Sequence, residues 1–456
     1  MPGTARFISP MTQIIIGLIV LVPALDVIVG GRNLFGEEYF AAVENNILET
    51  VQRHGEAYFS ALQDSPALTF ISPATSIVVL LSLAVIVLSL IDQRKIEAGY
   101  LVLGGFLAYF VTNVLLPVPF GMFAFIDRSH VYPLLVFMAF FLGRRDGPEP
   151  MFGTAKCCLM VLMIASLVLM FAMPDLTRRV YEPEVRLPFI DFRLWGLGES
   201  ANNIAPLAMT QIVLTMHRPF KIRALTILSY VSGGLVVLLA QSQTTWMISL
   251  VIIPALFFYQ RSSARLRSQQ QLAPWLIGAC AAALALMLFA PVLITEGVAL
   301  GVLQGTVLTG RPEVWNPAIE TFQAHPIFGY GLLAWEKDFR QNIDVLWAVH
   351  AHSQLLQSLS VAGLVGATGL VAYISSLFYG CVKETAATRG LAPALFMIIM
   401  IRAMTEVPLS ISAIMINDLV TQLLLFRLLV NPRAVAQQVR NAMPQLVFRN
   451  VPEAGH

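Results

Sequence analysis

The sequence is short of charge: Asp, Glu, Lys and Arg make up only 12% of its 456 residues, too few to solvate the surface of a water-soluble chain of this length. What charge there is nearly cancels, at a formal net of +2, and no basic patch stands out, which argues against a nucleic-acid partner. Cysteine is scarce too. The four cysteines, Cys157, Cys158, Cys280 and Cys381, fall in or at the ends of apolar runs, an arrangement that argues against structural disulfides and against a cysteine-based metal site. Internal repeats and low-complexity stretches are missing, and with them the two-half symmetry expected of many secondary transporters.

Hydrophobic residues are abundant: 57% of the chain, with a mean hydropathy of +0.73. They gather into runs near 11–30, 73–91, 98–117, 129–143, 154–173, 203–216, 224–240, 245–260, 273–294, 353–380, 391–409 and 411–430. A bilayer core takes roughly 20 apolar residues per helical crossing, so the expected fold is all-α, a polytopic transmembrane protein of about 12 spans. The run at 11–30 reads as a retained first helix, because it is long, contains Asp26 and lacks a small-x-small cleavage site.

Lys and Arg recur in the short connections at 92–95, 143–145, 217–223, 261–267 and 383–389 and in the tail after Pro432, which places those segments on the cytoplasmic side. Three longer segments, 31–72, 174–202 and 295–352, then face outward. The expected organisation is a block of transmembrane helices over 1–190, a second membrane domain over 191–430 that includes the outer loop 295–352, and a cytoplasmic tail over 431–456. In the first outer segment Phe40, Val43, Ile47 and Val51 fall on a helical period, the pattern of an amphipathic helix at a membrane surface. Long loops in compact proteins tend to carry function, so the site is expected in 295–352.

That loop holds Arg311, Trp315 and His325, and it closes on His350 and His352. A guanidinium can grip phosphate oxygens in pairs, and an imidazole with an ordinary pKa near 6.5 can take a proton from a sugar hydroxyl. Together they suit transfer from a phosphate-activated donor. The same residues also admit plainer readings: an outer-loop Arg solvated or paired with a carboxylate, and two histidines that are unrelated surface residues or a metal pair without a neighbouring Cys, Asp or Glu to complete it. Arg402 and Glu406 stand four apart in the run 391–409, where they would share a helix face and neutralise one another, either as a structural ion pair or beside the site. Asp418 is a further acidic group in the last run.

The segments Thr309-Gly310-Arg311-Pro312-Glu313-Val314-Trp315, His325-Pro326-Ile327-Phe328-Gly329-Tyr330-Gly331 and Ala351-His352-Ser353-Gln354-Leu355-Leu356-Gln357, followed by Gly363-Leu364-Val365-Gly366, resemble in order and spacing the O-antigen ligase and Wzy-type polymerase family of bacterial surface polysaccharide synthesis. Gly196-Leu197 with Ala201-Asn202-Asn203, and Gln241-Ser242-Gln243-Thr244-Thr245, extend the likeness, which covers roughly residues 190–410. The resemblance implies glycosyl transfer from an undecaprenyl diphosphate-linked saccharide to a hydroxyl of a second saccharide, in a bacterial inner membrane, on its periplasmic or outer face. It implies no cofactor and no metal. By the same resemblance Arg311 would hold the donor diphosphate, and His352 would orient or deprotonate the acceptor; Trp315, His350, Ser353, Asn202 and Gln243 would line the substrate.

Two positions depart from the family pattern. Ser353 stands where Asn is usual, and Gln243 stands where Arg or Lys is usual, which leaves Arg193, Arg186 or Arg402 to supply the second cation. The closest likeness within the family is to exopolysaccharide polymerases. The leading expectation is therefore a polymerase of lipid-linked repeat units, with a flippase and a chain-length regulator as partners. A ligase that passes polymer to lipid A-core is the alternative in the same class; a transporter or flippase of lipid-linked sugars is the alternative in another.

Overall fold

The computed structural model describes residues 5–30, 68–91, 99–143, 147–179, 187, 189–262, 266–299, 311–343, 345, 348–411, 413–416 and 419–431. The expected amphipathic segment at 31–72 lies almost wholly outside them, as do Arg186, Asp418 and the tail. Helices α1 (Ala5–Gly30), α2 (Leu68–Ile91), α3 (Tyr100–Phe110), α4 (Tyr132–Leu142) and α5 (Glu149–Ala172) form the first half. Then follow α6 (Ala201–His217), α7 (Arg223–Leu239), α8 (Gln243–Ser262), α9 (Leu266–Ala299), α10 (Arg311–Ala324), α11 (Gln354–Glu384), α12 (Leu391–Ala403) and α13 (Leu419–Val430). Among the described residues the strands are confined to a two-stranded ribbon, β1 (Arg178–Arg179) against β2 (Arg193–Leu194), with Arg179 opposite Arg193.

Each apolar run of the sequence falls on a helix, because in lipid a chain must satisfy its backbone internally. Among the described residues seven helices are long and apolar enough to cross a membrane, against about 12 spans expected; four further apolar helices, α4, α7, α12 and α13, are shorter. The short ones have a structural reason. Every residue of α12 and of α13 is buried, and a helix apolar on all sides belongs in the middle of a bundle. α12 packs among α6, α8, α9, α11 and α13, and α13 among α1, α3, α4, α11 and α12. Around α13 the Phe106 ring stacks on Phe137 at 4.0 Å between centroids and Phe426 meets Phe137 edge-on at 4.9 Å. Arg427 donates to the carbonyls of Phe140 and Gly143 at the end of α4.

One expected helix is cut short. The run 391–409 stops being helical at Ala403; beyond it the Thr405 and Glu406 N–H groups close turns on the Arg402 carbonyl, and Pro408, which lacks an N–H and disfavours helical backbone at Val407, keeps the helix from resuming. Arg402 and Glu406 are thus not i, i+4 neighbours on one helix, and the carboxylate is released to a different partner.

The stretch 326–331 is pinned to α11 by backbone hydrogen bonds. Gly363, inside α11, takes φ 61° and ψ −155° and breaks the helical ladder. Across that break Leu364 and Val365 N–H donate to the carbonyls of Pro326 and Ile327, while Tyr330 and Gly331 N–H donate to Ser360 and Val361. A Cβ on Gly329 would sit 2.4 Å from Ala362 N, and one on Gly363 would sit 2.4 Å from the Ile327 carbonyl oxygen. Both glycines are required by positive φ and by contact closer than any side chain permits.

Candidate active site

Five helix ends meet at one face of the bundle. Asn202 is the second residue of α6, Thr244 the second of α8 and Arg311 the first of α10; His352 lies two residues before α11, and Glu406 three residues after α12. Four of these ends are N-termini, whose unpaired N–H groups and dipoles give the region a positive potential suited to an anion.

Glu406 is the hub. Its Oε1 accepts from Arg311 Nη2 at 3.1 Å and from Asn202 Nδ2 at 3.1 Å. On its other oxygen, His352 Nδ1 lies at 3.2 Å and His350 Nε2 at 3.6 Å. Arg311 Nε donates to the Thr405 carbonyl at 3.1 Å, and Thr405 Oγ1 lies 3.2 Å from Thr244 Oγ1. The carboxylate side chain is 10% exposed, against 12% for Arg311, 20% for His352 and 29% for His350, so the group is deep but open on the histidine side.

Burial alone would raise the Glu406 pKa, but His352, Arg311 and His350 together hold it well below the usual carboxylate range. Burial, then the neighbouring His352, push the His350 imidazole down to about 3. The carboxylate is therefore ionised and His350 neutral at physiological pH. The hydrogen bonds then decide the tautomers. His350 Nδ1 accepts from the His352 N–H at 3.1 Å, so its proton sits on Nε2, facing Glu406. An ionised carboxylate can only accept, so His352 Nδ1 donates to it, and Nε2 is the nitrogen left to carry a lone pair in the neutral ring.

His350, His352 and Glu406 could also be taken as a metal triad, since one ligand atom from each lies within 4.8 Å of the others. The tautomers oppose that reading. A metal would need the His350 Nε2 lone pair, which the Nδ1 contact to His352 N–H leaves protonated.

The backbone of His352 is strained, with φ 47°, a conformation a side chain holds only when its surroundings impose it. Those surroundings are visible. Trp315, fully buried, donates Nε1–H to the His352 carbonyl at 3.2 Å, the Ala351 N–H donates to Gln357 Oε1 at 2.8 Å, and Ser353 caps α11 with its Oγ toward Leu356 N.

The structure thus draws together Arg311, His350, His352, Glu406 and Asn202 from the residues singled out by sequence. Arg193 joins through Asn202, donating Nη2–H to Oδ1 at 3.3 Å and Nε–H to the Ala240 carbonyl at 3.2 Å. Arg402 is buried, and its charge is felt at His350. Trp315 and Ser353 are turned into the fold as supports, with no exposed surface. Gln243 is exposed at the head of α8 and outside the Glu406 network.

Sequence reasoning missed Thr405, whose carbonyl orients Arg311, and the pair Tyr109 and Gln354. Tyr109 O–H donates to the Leu409 carbonyl at 3.1 Å, and Gln354 accepts the Leu409 N–H at 2.9 Å, which fixes the strand of chain that follows Glu406. The signal was there: Tyr109 and Asn113 are polar residues inside an apolar run, where they need a partner.

A polytopic helical membrane protein with a carboxylate-backed histidine and two arginines gathered at one end of its bundle is the class that fold and site define. Residues 228–371 match the family described as O-Antigen ligase, a stretch from α7 into α11 that holds Arg311, Trp315, His350 and His352. That match, over about a third of the chain, supports its resemblance to the O-antigen ligase and Wzy-type family. No curated protein matches the chain.

Proposed function

We propose that this chain is an inner-membrane glycosyltransferase that polymerises undecaprenyl diphosphate-linked oligosaccharide repeat units, with its site on the periplasmic or outer face. The observation that carries the reading is the Glu406–His352 pair: an ionised carboxylate on Nδ1 leaves Nε2 as the base. The acceptor hydroxyl gives its proton to His352 Nε2 as its oxygen bonds to the anomeric carbon of the donor saccharide. The bond from that carbon to the diphosphate oxygen breaks, and the lipid diphosphate departs with the electron pair. Arg311, with Arg193 behind Asn202 and the converging helix N-termini, stabilises the departing charge. Arg193 is the cation that takes over from Gln243. A ligase would run the same steps and differ only in the acceptor.

A flippase and a chain-length regulator are the partners this reading expects. The test is polymer length in cells lacking the wild-type gene and supplied with wild type, Arg311→Ala or His352→Ala at matched membrane abundance. Loss of long polymer with retention of single-unit material supports the polymerase; polymer of normal length in both variants overturns it.

A further inference from the structure

Next to the Glu406 network a cleft runs outward in two chambers. The inner one, about 150 Å³, has Val349 and Val407 in its wall, each one residue from His350 or Glu406. Asn113, Gln357, Ser358 and Ser410 supply amides and hydroxyls there, and Trp335 is a buried wall, packed on Phe339 and donating Nε1–H to Ser360. Asn113 sits on a π-helical turn, Val111–Leu115, that interrupts the helix after α3, the sort of irregularity that recurs at functional sites. The outer chamber, about 360 Å³, adjoins the inner one at His130 and Glu336 and adds Phe125, Asp127 and Asp338. Among the described residues neither lining includes a lysine or an arginine.

The lining itself holds three carboxylates, with Arg128 beside Asp127 and Arg340 near Glu336 just outside it, whereas Arg311 and Arg193, held by Glu406 and Asn202, line neither chamber; a phosphate is better matched at those two arginines than in the cleft. A donor saccharide reacts at the carbon that carries its diphosphate, so it must lie against the arginines. An acceptor reacts at a sugar remote from any phosphate. We propose that the cleft is the acceptor subsite and that it takes the uncharged terminal sugars of a saccharide chain, the amides and hydroxyls reading sugar hydroxyls, and Asp127, Glu336 and Asp338 turning away acidic residues. The proposal rests on the glycosyl-transfer reading above and assigns the substrate class to one part of that site.

The test uses the purified full chain in nanodiscs and, as probe, the repeat-unit oligosaccharide released from its lipid by mild acid, which carries no diphosphate. Binding is followed by saturation-transfer NMR. Wild type is expected to bind the probe. Leu333→Trp, which fills the outer chamber from a half-exposed wall position, should weaken it tenfold or more, while Arg311→Ala weakens undecaprenyl diphosphate and leaves the probe within threefold. Oxidising the probe's primary alcohols to carboxylates should weaken binding to wild type, and Glu336→Gln with Asp338→Asn, both exposed, should narrow that loss. Absence of probe binding to wild type, unchanged binding in Leu333→Trp, or binding that follows Arg311→Ala overturns the subsite. Its failure is separable from failure of the parent reading, because the latter shows as normal polymer in His352→Ala cells.

Discussion

Replacing Glu406 by glutamine tests the site at its hub, because the amide keeps the shape and removes one acceptor. The carboxylate faces donors on both oxygens: Arg311 and Asn202 on Oε1, His352 and His350 on Oε2. A glutamine must turn its NH₂ toward one side. Facing the histidines, it forces His352 Nδ1 to accept, which moves the ring proton to Nε2 and removes the base. Facing Arg311, it sets donor against donor and leaves a buried cation without its counter-charge. Loss of general-base chemistry is worth about 10²- to 10⁴-fold in rate, and breaking a buried ion pair costs about 3–5 kcal/mol. Glu406→Gln should therefore cut polymer synthesis by at least about 10²-fold at matched membrane abundance and lower the thermal midpoint of the purified chain. Adding His352→Ala to Glu406→Gln should cost little more, since the two act as a unit. Polymer yield in Glu406→Gln within threefold of wild type would refute the dyad.

Gly363→Ala and Gly329→Ala each place a Cβ about 2.4 Å from backbone at positive φ, and both should reduce folded protein in the membrane, seen as loss of a monodisperse peak in detergent; normal yield would show that the break in α11 is not needed. Arg193→Ala removes one charge-assisted bond, about 1.5–3 kcal/mol, so undecaprenyl diphosphate should bind at least about tenfold more weakly; unchanged binding would return the second cation to Arg402. Stability should fall with acid. His350 in the unfolded chain takes a proton near 6.5, but in the fold only near 3, so between those values the unfolded state binds more protons and is favoured; Glu406, depressed in the fold, adds a loss at lower pH. A thermal midpoint that rises as pH drops from 6.5 to 4 would contradict both assignments.

The helices were legible because apolar runs in lipid have one outcome, and Arg311 and His352 were legible because a cation and an imidazole in one outer loop suggest their own chemistry. The partner of Glu406 was not. Spacing pointed to Arg402, four residues back, but helical spacing holds only while the helix does, and the helix ends at Ala403. Freed from the helix, the carboxylate meets residues 54, 95 and 204 positions away, separations that no local pattern encodes. Gly329 and Gly363 touch no candidate substrate group; they let residues 326–331 lie backbone to backbone on the broken α11. That docking fixes the first turns of the helix whose entrance carries His352, and the left-handed backbone of His352 is held by Trp315 and Gln357 from either side. The chemistry of a single imidazole thus depends on contacts made by glycine and by buried supports, so substitutions that never approach a substrate should also silence the site.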